Sequence, residues 1–174
     1  MYGLSLAFES LGVSNFAGVK YTGLYTYPGL MDALRLHNYK EGKYEVLVGR
    51  DELMIEALSI GLQGFVGSQY NMVGDVYNQI RKYASEHNHT AATQLQVIAN
   101  EFIYLQNTQA SPGVNGCKNM FNLAPNGVQV GESRLPSVPL SDTDQSVLRE
   151  GLKAWCNGPQ VESLPKQAKV CQGV

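Results

Sequence analysis

No run of apolar residues in this chain approaches the roughly 18 that a membrane-spanning helix needs. The apolar opening from Tyr2 to Phe8 is broken by Glu9 and has no basic region before it. A soluble protein that is neither anchored in a membrane nor secreted is therefore expected. Charge is scarce as well. Only 16% of the residues are charged, and 13 Lys and Arg against 15 Asp and Glu leave a formal charge of -2, so there is no basic field to draw a phosphate backbone. Nucleic acid is not an expected partner. Cysteine is sparse: Cys117, Cys156 and Cys171 are odd in number, widely spaced and without a C-x-x-C pair. They are expected to be free thiols in a reducing, cytoplasmic compartment. His37, His87 and His89 have no carboxylate or cysteine at ligand spacing, so no metal site is expected either.

What is present is apolar residue in quantity, 44% of 174 residues, enough for one ordinary domain with a core. A chain of about 150 residues buries roughly two thirds of its surface. Leu4, Ala7, Phe8 and Leu11 recur at helical spacing before Gly12, which predicts an amphipathic helix over 2–12. The segment from Phe16 to Thr22 reads as a strand. Its period of two puts Phe16, Gly18, Lys20 and Thr22 on one face and Ala17, Val19 and Tyr21 on the other. Thr26, Tyr27 and Pro28 open a helix that runs to about Asn38; a strand follows over 44–48, then a helix from Asp51 to Gly61. A third strand over 64–68 leads into a helix from about Asn71. Strand and helix thus alternate three times, the pattern of parallel strands joined by right-handed crossovers, in an open doubly wound sheet or an eight-stranded barrel.

A longer helix over 90–108 follows without an intervening strand and ends the series. From Ser111 the composition turns to Pro, Gly, Asn and Ser, and one last helix is predicted over 142–155, with a poorly ordered tail beyond Asn157.

Lys20 is the residue with the most chemistry in it. An ammonium on an apolar strand is costly, desolvation favours its neutral form, and a neutral lysine amine attacks ketones to form imines. A lysine at a strand end also commonly carries its amine out to water. Ligands in β-α folds sit beyond the C-terminal strand ends. There the chain places Lys20 and Thr22, then Gly49 to Glu52, then Ser68, Tyr70 and Asn71. Asp51 also reads as a helix N-cap and Glu52 as a first-turn carboxylate favoured by the helix dipole.

These three strand ends carry a resemblance. Gly18-Val19-Lys20-Tyr21-Thr22, Gly49-Arg50-Asp51-Glu52 and Gly67-Ser68-Gln69-Tyr70-Asn71 resemble, in order and spacing, the last three strand ends of the N-acetylneuraminate lyase family, relatives of dihydrodipicolinate synthase. The family's third motif usually has threonine where this chain has Gln69. The resemblance implies an α/β fold: a partial (β/α)8 TIM barrel, strands six to eight with their helices in residues 1–110, plus a C-terminal helical extension in 111–174. It implies a class I aldolase that cleaves N-acetylneuraminate to N-acetylmannosamine and pyruvate, with Lys20 as the Schiff-base nucleophile and no metal or organic cofactor.

Thr22, Gly49, Asp51, Glu52 and Ser68 match positions that bind substrate. A homo-oligomer, in the family a tetramer, is implied too. The loop that binds the substrate carboxylate and the proton-shuttling tyrosine would belong to the first five units, which the resemblance does not cover. The isolated chain is then expected to be marginal in fold and activity, with Phe16, Val46 and Val66 exposed on the inner face of an unclosed sheet. The alternatives are a dihydrodipicolinate synthase-like pyruvate aldolase, or a non-catalytic fragment that associates with a full-length relative.

Overall fold

The computed structural model describes residues 1–23, 27–110, 113–124, 127–162, 164 and 168–172. The chain divides into two compact units, Met1–Gly67 and Ser68–Val174.

The first unit opens with α1 (Tyr2–Ser10) and continues through β1 (Gly18–Tyr21), α2 (Tyr27–His37), β2 (Glu45–Val48), a 3-10 turn over Asp51–Leu53, α3 (Met54–Ser59) and β3 (Gly64–Phe65). Thr26, expected to cap α2, lies outside the described residues. The sheet is parallel in the order β1-β2-β3, with Val19 opposite Val46, Tyr21 opposite Val48, and Val48 opposite Phe65. That register puts Val19, Tyr21, Val46, Val48 and Phe65 on one face. This face is packed by Ala33 and Leu36 of α2 and Ala57 of α3. Val46 and Val48 are wholly buried. Each buried side chain of this kind gains roughly 1.5–3 kcal/mol over an exposed one, so this face holds the unit together.

The opposite face carries Gly18, Lys20, Glu45, Leu47 and Gly64. Lys20 and Glu45 are exposed and Leu47 is half-buried. Among the described residues of the first unit nothing comparable covers it. The expected exposure of Val46 is corrected here, because the pleat turns Val46 toward α2 and α3 and puts Leu47 beside Lys20. Val66 is exposed as expected, and Phe16 is half-buried against the rings of Phe8 and Tyr44.

The first helix also differs from expectation. Its leucines point outward, Leu4 and Leu6 being 52% and 40% exposed, and the buried residue of α1 is Ser5. Beside the contact of Phe8 with Phe16, polar anchors dock it. The terminal ammonium of Met1 pairs with Asp32 at 2.7 Å, and the Arg35 guanidinium lies 4.1 Å over the Tyr2 ring. Glu9 accepts hydrogen bonds from Lys40, Lys43 and the hydroxyls of Tyr39 and Tyr44.

The Lys40 and Lys43 ammonium groups, then the Tyr44 hydroxyl, hold the Glu9 carboxyl far below the usual carboxylate range against the opposing pull of partial burial. A depressed carboxylate stabilises the fold above its unfolded value and loses that stabilisation as pH falls through its folded value. Glu9→Gln is therefore expected to lower the thermal midpoint at neutral pH. The gap from the parent should narrow as pH drops below the ordinary carboxylate range; a gap that is flat with pH would contradict the assignment.

In the second unit, α4 (Tyr70–Ser85) and α5 (His89–Leu105) form an antiparallel pair across a short turn in which His87 has a positive φ of 59°. The Asn88 side chain caps α5 by accepting from the Ala91 amide at 3.2 Å. Val76, Tyr77 and Ile80 of α4 and Leu95, Ile98, Phe102 and Leu105 of α5 are buried, as their spacing predicts. A π-helical turn over Gln106–Ala110 prolongs α5. Two expectations fail beyond it. The stretch expected to be irregular contains α6 (Gly113–Leu123), whose many asparagines hid a helix that buries Cys117 and Met120. After α7 (Asp142–Cys156), capped by Ser141, the tail forms α8 (Pro159–Glu162) and a 3-10 turn over Lys169–Cys171. The tail is tied down because Cys156 and Cys171 form a disulfide, their Cα atoms 5.4 Å apart. The three cysteines are thus not all free thiols; Cys117 is, and it is buried. No helix among the described residues is long and apolar enough to cross a membrane.

Candidate active site

Lys20 and Thr22 leave the open face of the sheet at the C-terminal end of β1, and both side chains are exposed. The expected apolar burial of Lys20 is not what the chain shows. What surrounds the lysine is the end of β2. The Gly49 amide donates to the Tyr21 carbonyl at 2.7 Å, continuing the ladder one step past the strands. A Cβ at Gly49 would lie 2.5 Å from both Lys20 Cε and Thr22 Oγ1, closer than any real contact. The amine-bearing chain and the hydroxyl therefore converge over the bare Cα of Gly49. A glycine is required there because two side chains from the neighbouring strand occupy the space of its own. Arg50 braces the same corner, its Nε donating to the Gly23 carbonyl at 3.4 Å.

Asp51 was expected to cap a helix or bind a ligand. The cap position of the 3-10 turn is Arg50, and Asp51 is the turn's first residue. Its side chain is 5% exposed, and its carboxylate rests on Gly67 where a Cβ would overlap it. Glycine at 67 is thus the counterpart of a buried carboxylate. Glu52, in the same turn, is half-buried. Ser68 stands at the head of α4 in the second unit, its carbonyl accepting from the Asn71 side chain at 3.0 Å. The unit of Met1–Gly67 therefore brings Lys20, Thr22 and Gly49 together and sets Asp51 and Glu52 in the turn that follows.

Gln69, the departure from the usual threonine, is 3% exposed, and its Nε2 donates to Gln106 Oε1 at 2.6 Å. The Cys117 thiol donates to that same oxygen at 3.1 Å. Sequence reasoning missed Gln106, since a lone glutamine past the end of an apolar stripe reads as surface. Among the described residues no group of three His, Cys, Asp or Glu side chains could hold a metal ion.

An amine and a hydroxyl set over a glycine floor at a parallel strand end, with two carboxylates one turn on, suit a carbonyl substrate bearing hydroxyl groups. Comparison with known proteins agrees in family. The chain is 33% identical over 147 residues to the N-acetylneuraminate lyase of Danio rerio, covering 84% of this chain and 46% of that one. It is 27% identical over 162 residues to the N-acetylneuraminate lyase of Rhizobium meliloti, covering 90% and 50%. The solved Proteus mirabilis N-acetylneuraminate lyase superposes with a TM-score of 0.75 at 22% identity, over 89% of this chain and 50% of that one, a likeness of fold. The chain spans about half the length of the curated relatives it matches. The model of the Dihydrodipicolinate synthetase family matches residues 10–155, and the chain belongs to that family.

Proposed function

We propose that residues 1–110 are the last three β/α units of a (β/α)8 barrel with the helix that follows, and residues 111–174 a C-terminal helical extension. The chain would then be the Lys20-bearing part of a class I aldolase that cleaves N-acetylneuraminate to N-acetylmannosamine and pyruvate. The observation that carries this reading is the convergence of Lys20 and Thr22 over Gly49 on the face of the sheet left open within its unit. A parallel sheet normally has both faces covered. An open face lined by a lysine is what one sector of a barrel interior presents before the barrel closes. The outward leucines of α1 support the same reading, since they offer an apolar surface to further units.

In this chemistry the neutral Lys20 amine attacks the substrate ketone and water leaves, giving an imine. Once protonated, the imine draws in the electron pair of the breaking carbon-carbon bond while a base takes the proton of the hydroxyl that becomes the aldehyde. Protonation of the enamine at carbon and hydrolysis then free pyruvate and the lysine. Thr22 hydrogen-bonds at the reacting centre, and Gly49, Asp51, Glu52 and Ser68 hold the hydroxylated portion. The reading calls for no metal and no organic cofactor, and for assembly as a homo-oligomer, the tetramer of the resemblance. A cytoplasmic location belongs to the same reading.

Incubation with pyruvate and borohydride tests the chemistry. Borohydride reduces the imine carbon and fixes the adduct, so one reduced pyruvyl group is expected on the peptide containing Lys20. Label spread evenly over the exposed lysines would sink the proposal.

A further inference from the structure

The second unit holds a cavity of about 420 Å³ that none of the strand-end residues lines. One wall is α6, which presents Asn115 and Asn119 a helical turn apart. The facing wall is α7, with Gln145 and Arg149 likewise four residues apart. Glu132 and Ser133 close it from the segment between the two helices.

That segment is held in place by its own bonds. The Asn122 side chain accepts from the Val130 amide at 2.9 Å and donates to the Gly131 carbonyl at 3.1 Å, and Lys118 donates to the Glu132 carbonyl at 3.0 Å. Gln145 donates to the Leu140 carbonyl at 3.2 Å. The cavity is therefore preformed, with Arg149 and the Asn115 amide outside the set of bonds that shapes it.

The lining chemistry narrows the occupant. A wall of amides, a hydroxyl and a carboxylate suits a molecule rich in hydroxyl groups, because each of these accepts from hydroxyls and the amides also donate. One guanidinium fork matches one carboxylate. A polyphosphate would meet a single lining cation with Glu132 beside it, and an apolar ligand would strand the amides. The volume lies within the usual range of small-molecule sites, about 300–1,000 Å³. We propose that this cavity binds a small carboxylated polyol, its carboxylate on Arg149 and its hydroxyls on Asn115, Asn119, Ser133 and Glu132. The inference does not rest on the aldolase reading.

Calorimetric titration of the chain with D-gluconate and sorbitol tests it, since neither carries a ketone or aldehyde with which Lys20 could form an imine. Gluconate is expected to bind saturably at one site. Sorbitol, which lacks the carboxylate, and the Arg149→Ala variant are each expected to show affinity about tenfold weaker. Arg149→Lys should fall between. Arg149 is exposed and Asn115 half-buried, so both can be changed without disturbing the core. No saturable gluconate binding, or binding that Arg149→Ala and Asn115→Ala leave within about twofold of the parent, would overturn the proposal.

Discussion

Expressed by itself, the 174-residue chain is expected to release pyruvate from N-acetylneuraminate at least about a hundredfold more slowly than the same chain joined behind the first five β/α units of a related lyase. In the proposed chemistry the amine and part of the polyol grip lie here, whereas the group that shuttles the proton and the loop that holds the substrate carboxylate lie in the first five units. A single positioned acid or base is worth about a hundredfold to ten-thousandfold in rate. The carboxylate grip adds orientation on top of that. The chain alone should also be heterogeneous in size, because the order β1-β2-β3 leaves β1 and β3 each paired on one side only among the described residues. Pyruvate release coupled to a standard assay, with light scattering on the same samples, makes the comparison. A monodisperse monomer that turns over as fast as the completed chain would refute the partial-barrel reading.

In that completed chain, Lys20→Ala is expected to cut turnover by roughly a thousandfold or more and to abolish the borohydride-fixed adduct. Without the amine there is no covalent electron sink, and the remaining groups can only bind and polarise the substrate. Lys20 lies outside the buried cluster that holds its unit together, so the substitution removes none of that packing. That separates loss of chemistry from loss of structure. An Ala variant that unfolds no more readily than the parent and still cleaves within tenfold of it would remove Lys20 from the mechanism.

The β-α alternation was legible because period and punctuation agree in it: a strand-length apolar run, a glycine or cap, then helical spacing. The same consistency made the three strand-end motifs readable. What was hidden followed from contacts that no local pattern encodes. Val46 and Leu47 are adjacent and both apolar, so only the register with Val19 and Lys20 decides which faces the helices. Of the expected inward stripe Phe8 packs on Phe16 while Leu4 faces out, because an ionic hub at Glu9 and an amine-carboxylate pair at Met1 share in fixing the docking of α1.

Asparagine and glycine are poor helix formers, which hid α6, and a helix there depends on the tertiary packing of Cys117 and Met120. The pairing of Cys156 with Cys171 is a matter of distance in the folded chain. At the site, the sequence identified Lys20, Thr22 and Gly49 as neighbours in motif only; that Gly49 must be glycine because Lys20 and Thr22 lie across it is a packing fact.

The open face on which Lys20 stands has one more consequence, in the competition between substrate and solvent. An imine formed there is open to water, since no described residue of the first unit covers the exposed Lys20. Hydrolysis back to ketone and amine then competes with every forward step, and an enamine formed there takes its proton from whatever water is nearest. Closed active sites suppress such leakage by expelling water. The chain alone should therefore behave as a reversible ketone scavenger: it gives a trapped adduct when a reductant intercepts the imine, and otherwise returns the ketone unchanged.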